Sequence, residues 1–254
     1  MGVPASLMHE PGERARTGAS TFARIALALA ALAAIGVFVA AGQWQRSRML
    51  DKEAQGAALA AAAGRERVAL PRTDDWYAWR FRPVRLDGEW VPDRQFLVDN
   101  RVHAGRAGFQ VFAPLRLDDG RVVLVDRGWV AAGAGATRIP EVAMRSGRAE
   151  VDGRVALPPS RYLELDAGAP SGAVWQNLDV ARLAAATGLA LLPIVVEETG
   201  TTAAEGLRRD RPPPDAGART HEVYMMQWYA FAAVTAALWI GFAVRDRRRR
   251  KDGR

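Results

Sequence analysis

His221-Glu222-Val223-Tyr224-Met225-Met226-Gln227-Trp228 opens the stretch that decides how this chain is organised, because it leads through an apolar run to Val244 and then into Arg245-Asp246-Arg247-Arg248-Arg249-Arg250-Lys251. From Tyr224 to Val244 there are 21 residues without a formal charge, mostly Ala, Val, Leu, Ile, Phe and Trp. At about 1.5 Å rise per residue, a helix of that length spans roughly 30 Å, the thickness of a bilayer's hydrocarbon core. Trp228 and Tyr229 mark one end, as aromatics at the headgroup level do, and the arginine run marks the other. Positive charge is retained on the cytoplasmic side, so the helix leaves the membrane inward and His221 lies at the outer face.

The composition supports a membrane protein over a nucleic-acid binder. Residues 245–254 carry seven Lys or Arg and two Asp, so five of the seven net positive charges sit in the tail. The remainder is close to balanced and offers no basic face for tracking phosphates. The tail is a topogenic anchor that also suits contact with anionic headgroups. The chain has no cysteine. That excludes disulfides, zinc-thiolate sites, iron–sulfur clusters and covalent haem attachment, without fixing the redox compartment.

Working outward, Ile25–Gly42 is a second uncharged run of 18 residues, preceded by a polar lead over 1–21 that the composition marks as disordered and cytoplasmic. A cleaved signal peptide, with Val39 and Ala41 before the cut, is the competing reading. The run exceeds the ~7–15 residues of a signal core and reaches spanning length, which favours a retained helix. Its flanks do not orient it, since Arg14, Arg16 and Arg24 precede it while Arg46, Arg48 and Lys52 follow. Orientation rests on the second span, and two spans put both termini inside. The expected organisation is therefore a lead over 1–21, a first span over 22–42, an outer-face domain over 43–223, a second span over 224–244 and a basic cytoplasmic tail over 245–254. The Ala-rich stretch Asp51–Ala63 continues the first helix outward as far as Gly64.

From Arg80 the pattern takes the period of strands. Phe81–Trp90 and Gln95–Arg101 are separated by the turn-forming Val91-Pro92-Asp93-Arg94, and Gly105-Arg106-Ala107-Gly108 predicts another turn. Phe109–Leu117 and Arg121–Val130 flank Asp118-Asp119-Gly120, a hairpin signature because Gly accepts the positive φ of a tight turn. Alternation along the second of these strands sends Asp126 and Arg127 to opposite sides, which makes them a poor catalytic pair. Gly133-Ala134-Gly135 is a surface turn, since the third glycine of a dinucleotide loop is missing and no amphipathic helix follows over 136–147. Shorter strands are expected at Ala149–Leu157, Tyr162–Leu165 and Val174–Asn177. Asp179 predicts an N-cap for a helix Val180–Thr187 closed by Gly188, and Leu191–Glu197 is a final strand. Thr199–Thr220, with Pro212-Pro213-Pro214, reads as a polar linker to the second span. The fold class that results is an α+β membrane protein. Two transmembrane helices flank a mainly antiparallel β domain, a sheet or partly closed barrel, with one short helix.

Catalytic constellations are sparse. There is no Gly-x-Ser-x-Gly elbow, no P-loop and no His-Glu-x-x-His, and His103 is the only histidine of the soluble domain. Asp74-Asp75 and Glu197-Glu198 are adjacent carboxylates that diverge in a strand and mark solvent. His221 differs. On a helix His221, Tyr224 or Met225, and Trp228 share a face. A neutral imidazole is a good axial ligand for haem iron, an aromatic ring packs on a porphyrin edge, and Gln227 is within reach of a propionate. Trp44 and Gln45, at the same depth on the first helix, supply an opposite wall. The same residues also suit an interfacial histidine with ordinary belt aromatics, and the residues alone leave both readings open.

Several stretches, taken in order, bear a resemblance that covers nearly the whole chain. Gly42-Gln43-Trp44-Gln45-Arg46 closes the first span, followed by Val84-Arg85-Leu86-Asp87-Gly88-Glu89-Trp90 and Gly108-Phe109-Gln110-Val111-Phe112-Ala113-Pro114-Leu115. Val123-Leu124-Val125-Asp126-Arg127-Gly128-Trp129-Val130, Trp175-Gln176-Asn177-Leu178-Asp179 and His221-x-x-Tyr224-x-x-Gln227-Trp228 complete the set. In this order and between two spans, the chain resembles the surfeit locus protein one family, membrane assembly factors for haem–copper cytochrome c oxidase. The resemblance implies a non-catalytic role in handing haem a to oxidase subunit I, with haem a synthase as a further partner, in the inner membrane of a bacterium. It also implies that His221 is the axial ligand of the haem iron, with Tyr224, Gln227, Trp228 and Trp44 around the macrocycle. Met225 stands where a small residue is common in the family, and Asp126 where asparagine is usual. A membrane scaffold that never touches haem, and an outer-face enzyme using His103, are the alternatives.

The topology is testable because the chain is free of cysteine. A Ser171→Cys variant is expected to react with an impermeant thiol reagent in intact spheroplasts. Labelling only after the inner membrane is breached would contradict an outer-face domain.

Overall fold

The computed structural model describes residues 12–133, 139–158, 173–200 and 205–252. The expected strand Tyr162–Leu165 and the turn at Ala134-Gly135 lie outside the described residues. Two compact units are present, one formed by the chain up to Gln55 with Pro214 onward, the other by Gly56–Pro213.

The first unit is helical. Helix α1 runs Gly12–Ala63 and helix α3 runs Ala218–Asp252. Both are long and apolar enough to cross a membrane, and their apolar stretches are scarcely covered by protein, unlike the core helix of a soluble domain. The chain is a membrane protein with two such helices. As expected, α1 continues unbroken through the Ala-rich stretch to Ala63, while its N-terminal end begins at Gly12, inside the lead expected to be disordered. The two helices pair antiparallel. Arg24 meets Asp246 at 3.1 Å at one end, Phe38 stacks on Trp228 at 5.8 Å further along, and Lys52 donates to the Ala216 carbonyl at 2.7 Å beyond the other end. Close approach is made possible at Gly42, where a Cβ would lie 2.6 Å from the Tyr229 ring.

The second unit is the β domain. Strands β1 (Val68–Ala69), β2 (Pro83–Trp90), β3 (Phe96–His103), β4 (Arg106–Leu117), β5 (Val122–Ala131), β6 (Gly147–Ala156), β7 (Val174–Trp175) and β8 (Leu191–Glu198) form one mixed, mainly antiparallel sheet. Because β2 pairs with both β6 and β4, strands β2, β6, β8, β5 and β4 close into a small barrel. The antiparallel sheet or partly closed barrel expected of the sequence is thus a closed barrel, with a parallel step between β5 and β8. Period-two alternation fills its interior with Val84, Leu86, Leu115, Val125, Val155 and Val196, all fully buried or nearly so. Each such side chain contributes roughly 1.5–3 kcal/mol by burial.

Strand β5 is apolar on both faces because both are covered. Val123 and Val125 point into the barrel, while Leu124 packs beneath helix α2 (Val180–Thr187) with Phe96, Phe112, Leu183 and Val195. The caps of α2 are those expected of the sequence. Asp179 accepts from the Arg182 amide at 3.0 Å, and Gly188 closes the helix in the left-handed conformation at φ 70°.

Two expectations are corrected. The turn between β3 and β4 lies at Ala104-Gly105, both at positive φ, and Arg106–Gly108 belongs to β4. Gly108 is required by close approach instead, since the backbone and indole of β5 occupy the space a Cβ would take. The expected linker Thr199–Thr220 is not a free tether. Within its described part, Leu207 is fully buried and Arg208 makes a reciprocal backbone bridge with Trp129 at 2.7 Å each way. Its last residues, Ala218–Thr220, are the first turn of α3.

Gly128 combines a φ of 129° with the Arg208 carbonyl 2.7 Å from where a Cβ would stand. Gly128→Val is expected to lower folding stability by about 1–3 kcal/mol and reduce protein abundance accordingly. Immunoblotting with a thermal melt checks this; normal abundance with lost activity would assign the site to binding instead.

Candidate functional site

Helix geometry at the end of the apolar runs places His221 against α1. Between 221 and 232 of α3 the less exposed positions are 221, 225, 228, 229 and 232, spaced at i, i+4, i+7, i+8 and i+11 as a packed helix face requires. The His221 Nδ1 atom lies 2.7 Å from the Gln45 Oε1 atom. An amide oxygen only accepts, so Nδ1 is the donor of this bond. Among the described residues Nε2 has no partner.

The other expected site residues divide into two groups. Trp228 is packed inward, stacked on Phe38 and edge-on to Phe231 at 5.9 Å, and so buttresses the helix pair. Tyr224, Gln227 and Trp44 are exposed, Trp44 at 59% and Tyr224 at 49%. Trp44 neighbours Gln45 in sequence, and Tyr224 stands one turn from His221. The wall expected of Trp44 and Gln45 therefore resolves into a hydrogen-bond partner, Gln45, and an exposed aromatic, Trp44. Met225, not Tyr224, continues the packed face below His221.

In the β domain, His103 ends β3 as a packed residue instead of standing in a loop. Its ring lies 5.1 Å from that of Trp129 and its Nε2 is 3.3 Å from Asp210. Hydrogen bonding from Arg208 holds the Asp210 carboxyl at about 2, against the opposing pull of desolvation. Among the described residues, no group of three or more His, Asp or Glu is placed to hold a metal ion.

Alternation along strands did not disclose the charged constellation at one mouth of the barrel. The pairing of β4 with β5 slips between Val111 and Phe112, leaving Arg127 as the extra residue of a bulge. Arg127 is fully buried and Asp126 nearly so. They keep separate partners, as alternation requires. Arg127 donates to Gln95 and to the Ala143 carbonyl and lies 3.2 Å from Glu205. Asp126 accepts from Arg211 at 3.0 Å and from Gln110. Glu205 also pairs with Arg145 at 2.6 Å and Arg209 at 2.9 Å, and Arg145 and Arg209 both reach Glu198. Burial pushes the Arg127 guanidinium below its ordinary value, partly offset by Glu205. Burial works against the charge of Glu205 as well, yet hydrogen bonding from Arg145 and the charges of Arg145, Arg127 and Arg209 hold its carboxyl below the usual range. Segment 205–211 is thus clasped onto the barrel by paired charges.

Comparison with known proteins adds to this geometry. The model of the SURF1 family matches residues 32–233. A SURF1-like protein of Monosiga brevicollis is 28% identical over 212 residues, covering 78% of this chain and 80% of the relative. An uncharacterized SURF1-like protein of Mycobacterium tuberculosis is 27% identical over 193 residues, 68% of this chain and 65% of the relative. The cytochrome oxidase assembly protein SHY1 of Saccharomyces cerevisiae is 32% identical over 94 residues, 35% of this chain and 24% of the relative.

The clasp predicts acid sensitivity with a definite sign. A carboxyl lowered by folding stabilises above its ordinary value, 4.5 for Glu205, and that contribution is lost as pH falls through the folded value. Glu205→Gln is expected to cost about 1–3 kcal/mol at neutral pH and to flatten the acid limb. Denaturant unfolding at neutral and acid pH measures both; equal pH dependence in the two proteins would contradict the clasp.

Proposed function

The chain belongs to the SURF1 family, and from that membership we propose that it is an assembly factor for cytochrome c oxidase that receives haem a and presents it to subunit I. The yeast relative, a cytochrome oxidase assembly protein, supports the oxidase part of this reading. The haem part rests on a single observation, the hydrogen bond between His221 Nδ1 and Gln45 Oε1. Histidines that ligate metals characteristically donate their second nitrogen to an oxygen acceptor, which fixes the tautomer and raises the basicity of the ligating atom. His221 meets that requirement, with Nε2 available to iron. A haem bound there would be held by His221 and would supply the iron centre to be delivered.

The remaining residues have distinct tasks. Trp44 and Tyr224 offer exposed ring faces beside the ligand, Gln227 offers an exposed amide to a propionate, and Trp228 keeps the two helices in register through Phe38. None of these tasks moves a bond, so the chain acts by binding and presentation, without catalysis of its own. A haem a synthase is the source of the cargo in this scheme and subunit I its destination. Arg24 and Asp246 at one level, with the basic tail beyond, support placing both termini in the cytoplasm of a bacterial cell and His221 at the outer face.

Absorption spectra of the purified chain from cells making haem a provide the test. His221→Ala is expected to abolish the Soret band of co-purified haem while leaving membrane insertion intact. Gln45→Leu is expected to weaken haem retention by about 10–100-fold, as loss of a partner behind a metal-bound histidine does. His103→Ala is expected to leave the spectrum unaltered. A wild-type spectrum from the His221 variant, with oxidase still assembled, would remove the ligand assignment and leave a haem-free scaffold.

A further inference from the structure

We propose that the basic end of the helix pair is a binding site for the phosphate headgroup of an anionic phospholipid. Arg24 precedes the apolar run of α1, and Asp246 follows that of α3. Their 3.1 Å contact brings both helices to one level at the edge of the hydrocarbon. Asp246 turns one carboxylate oxygen to Arg24 at that contact. Arg245, Arg247, Arg248 and Arg249 are exposed, and among the described residues none has an acidic partner.

Helix α3 does not end where the membrane does. It continues to Asp252, so these cations are held on a rigid helix instead of a loose tail, and less side-chain and backbone entropy is lost when they close on a ligand. Arg245 and Arg249 are one turn apart and flank Asp246, the spacing of side-chain neighbours on a helix. A guanidinium grips two phosphate oxygens at once, which suits a phosphodiester better than a single-point ammonium does. The depth selects a lipid over a soluble anion, because the arginines begin at the residue after Val244, where acyl chains end and headgroups begin. A zwitterionic headgroup would set its own cation against the same arginines. Residues 245–252 lie outside the stretch matched by the family model, so the site belongs to this chain's own sequence and stands apart from the haem reading.

The test uses the purified full chain in nanodiscs of phosphatidylcholine with and without phosphatidylglycerol, with retained lipid counted by native mass spectrometry after detergent transfer. Wild type is expected to retain phosphatidylglycerol over phosphatidylcholine. Each neutralised arginine near the surface lowers retention by roughly fivefold, so the triple variant Arg245→Gln, Arg248→Gln, Arg249→Gln is expected to lose about a hundredfold. Removing topogenic charge risks misinsertion, so Asp246→Asn serves as a second variant. It releases Arg24 and is expected to raise retention roughly fivefold. No preference in wild type, or no change in a correctly inserted triple variant and in Asp246→Asn, overturns the proposal. Displacement of the lipid by soluble glycerol 3-phosphate would assign the site to a free phosphate ester and overturn it equally.

Discussion

An arginine without access to solvent governs how the β domain is built. Arg127 enters the barrel wall as the surplus residue of a bulge, and its side chain is fully buried in a domain whose interior is otherwise filled by apolar side chains. Leaving such a charge unpaired costs several kcal/mol, so a carboxylate must be brought to it. Glu205 does this from a segment 78 residues downstream in the chain, at 3.2 Å. Once Glu205 is fixed, Arg145 and Arg209 follow it and share Glu198, while Arg211 turns to Asp126. The backbone bridge between Trp129 and Arg208 closes the arrangement. The same segment leads on through Pro212–Pro214 to α3.

The helical unit answers to a different constraint. Two long apolar helices have no hydrophobic reason to associate within lipid, and packing and polar contacts must hold them. Gly42 admits the Tyr229 ring, Phe38 stacks on Trp228, and the two ends are tied by Arg24 with Asp246 and by Lys52 with the Ala216 carbonyl. Within that frame the His221–Gln45 bond joins polar groups that would otherwise be unpaired near the membrane edge. On the proposed reading, the His221–Gln45 bond and the exposed aromatics beside it suit an amphipathic planar cargo.

Where one periodicity or one local rule decides an element, the sequence was sufficient. The eight residues of α2 were legible because Asp179 and Gly188 bracket an apolar face, and the β4–β5 hairpin because Asp119-Gly120 interrupts two alternating runs. Glycine misled where it serves close approach: Gly108 resembles a turn residue, yet its task is to let β4 lie against Trp129. The clasp was illegible for a related reason. Arg209 and Arg211 beside three prolines have the composition of a solvated linker, yet both are largely buried, and Asp126, which holds Arg211, lies far away in the sequence. At the candidate haem site, helical spacing found the face carrying His221 and Trp228. It did not show that Trp228 is spent on Phe38, nor that Gln45 outranks Trp44 as the partner of His221, because both outcomes depend on the register between two helices.

The central claim is that this chain brings haem a into the oxidase, and the haem content of the oxidase itself tests it most directly. In membranes of a strain lacking the chain, reduced-minus-oxidised spectra are predicted to show a lower ratio of haem a to subunit I, with b-type haems unchanged. The ratio is predicted to return with the wild-type chain and not with His221→Ala. A normal ratio in the deletion strain, or full restoration by the His221 variant, would contradict the account.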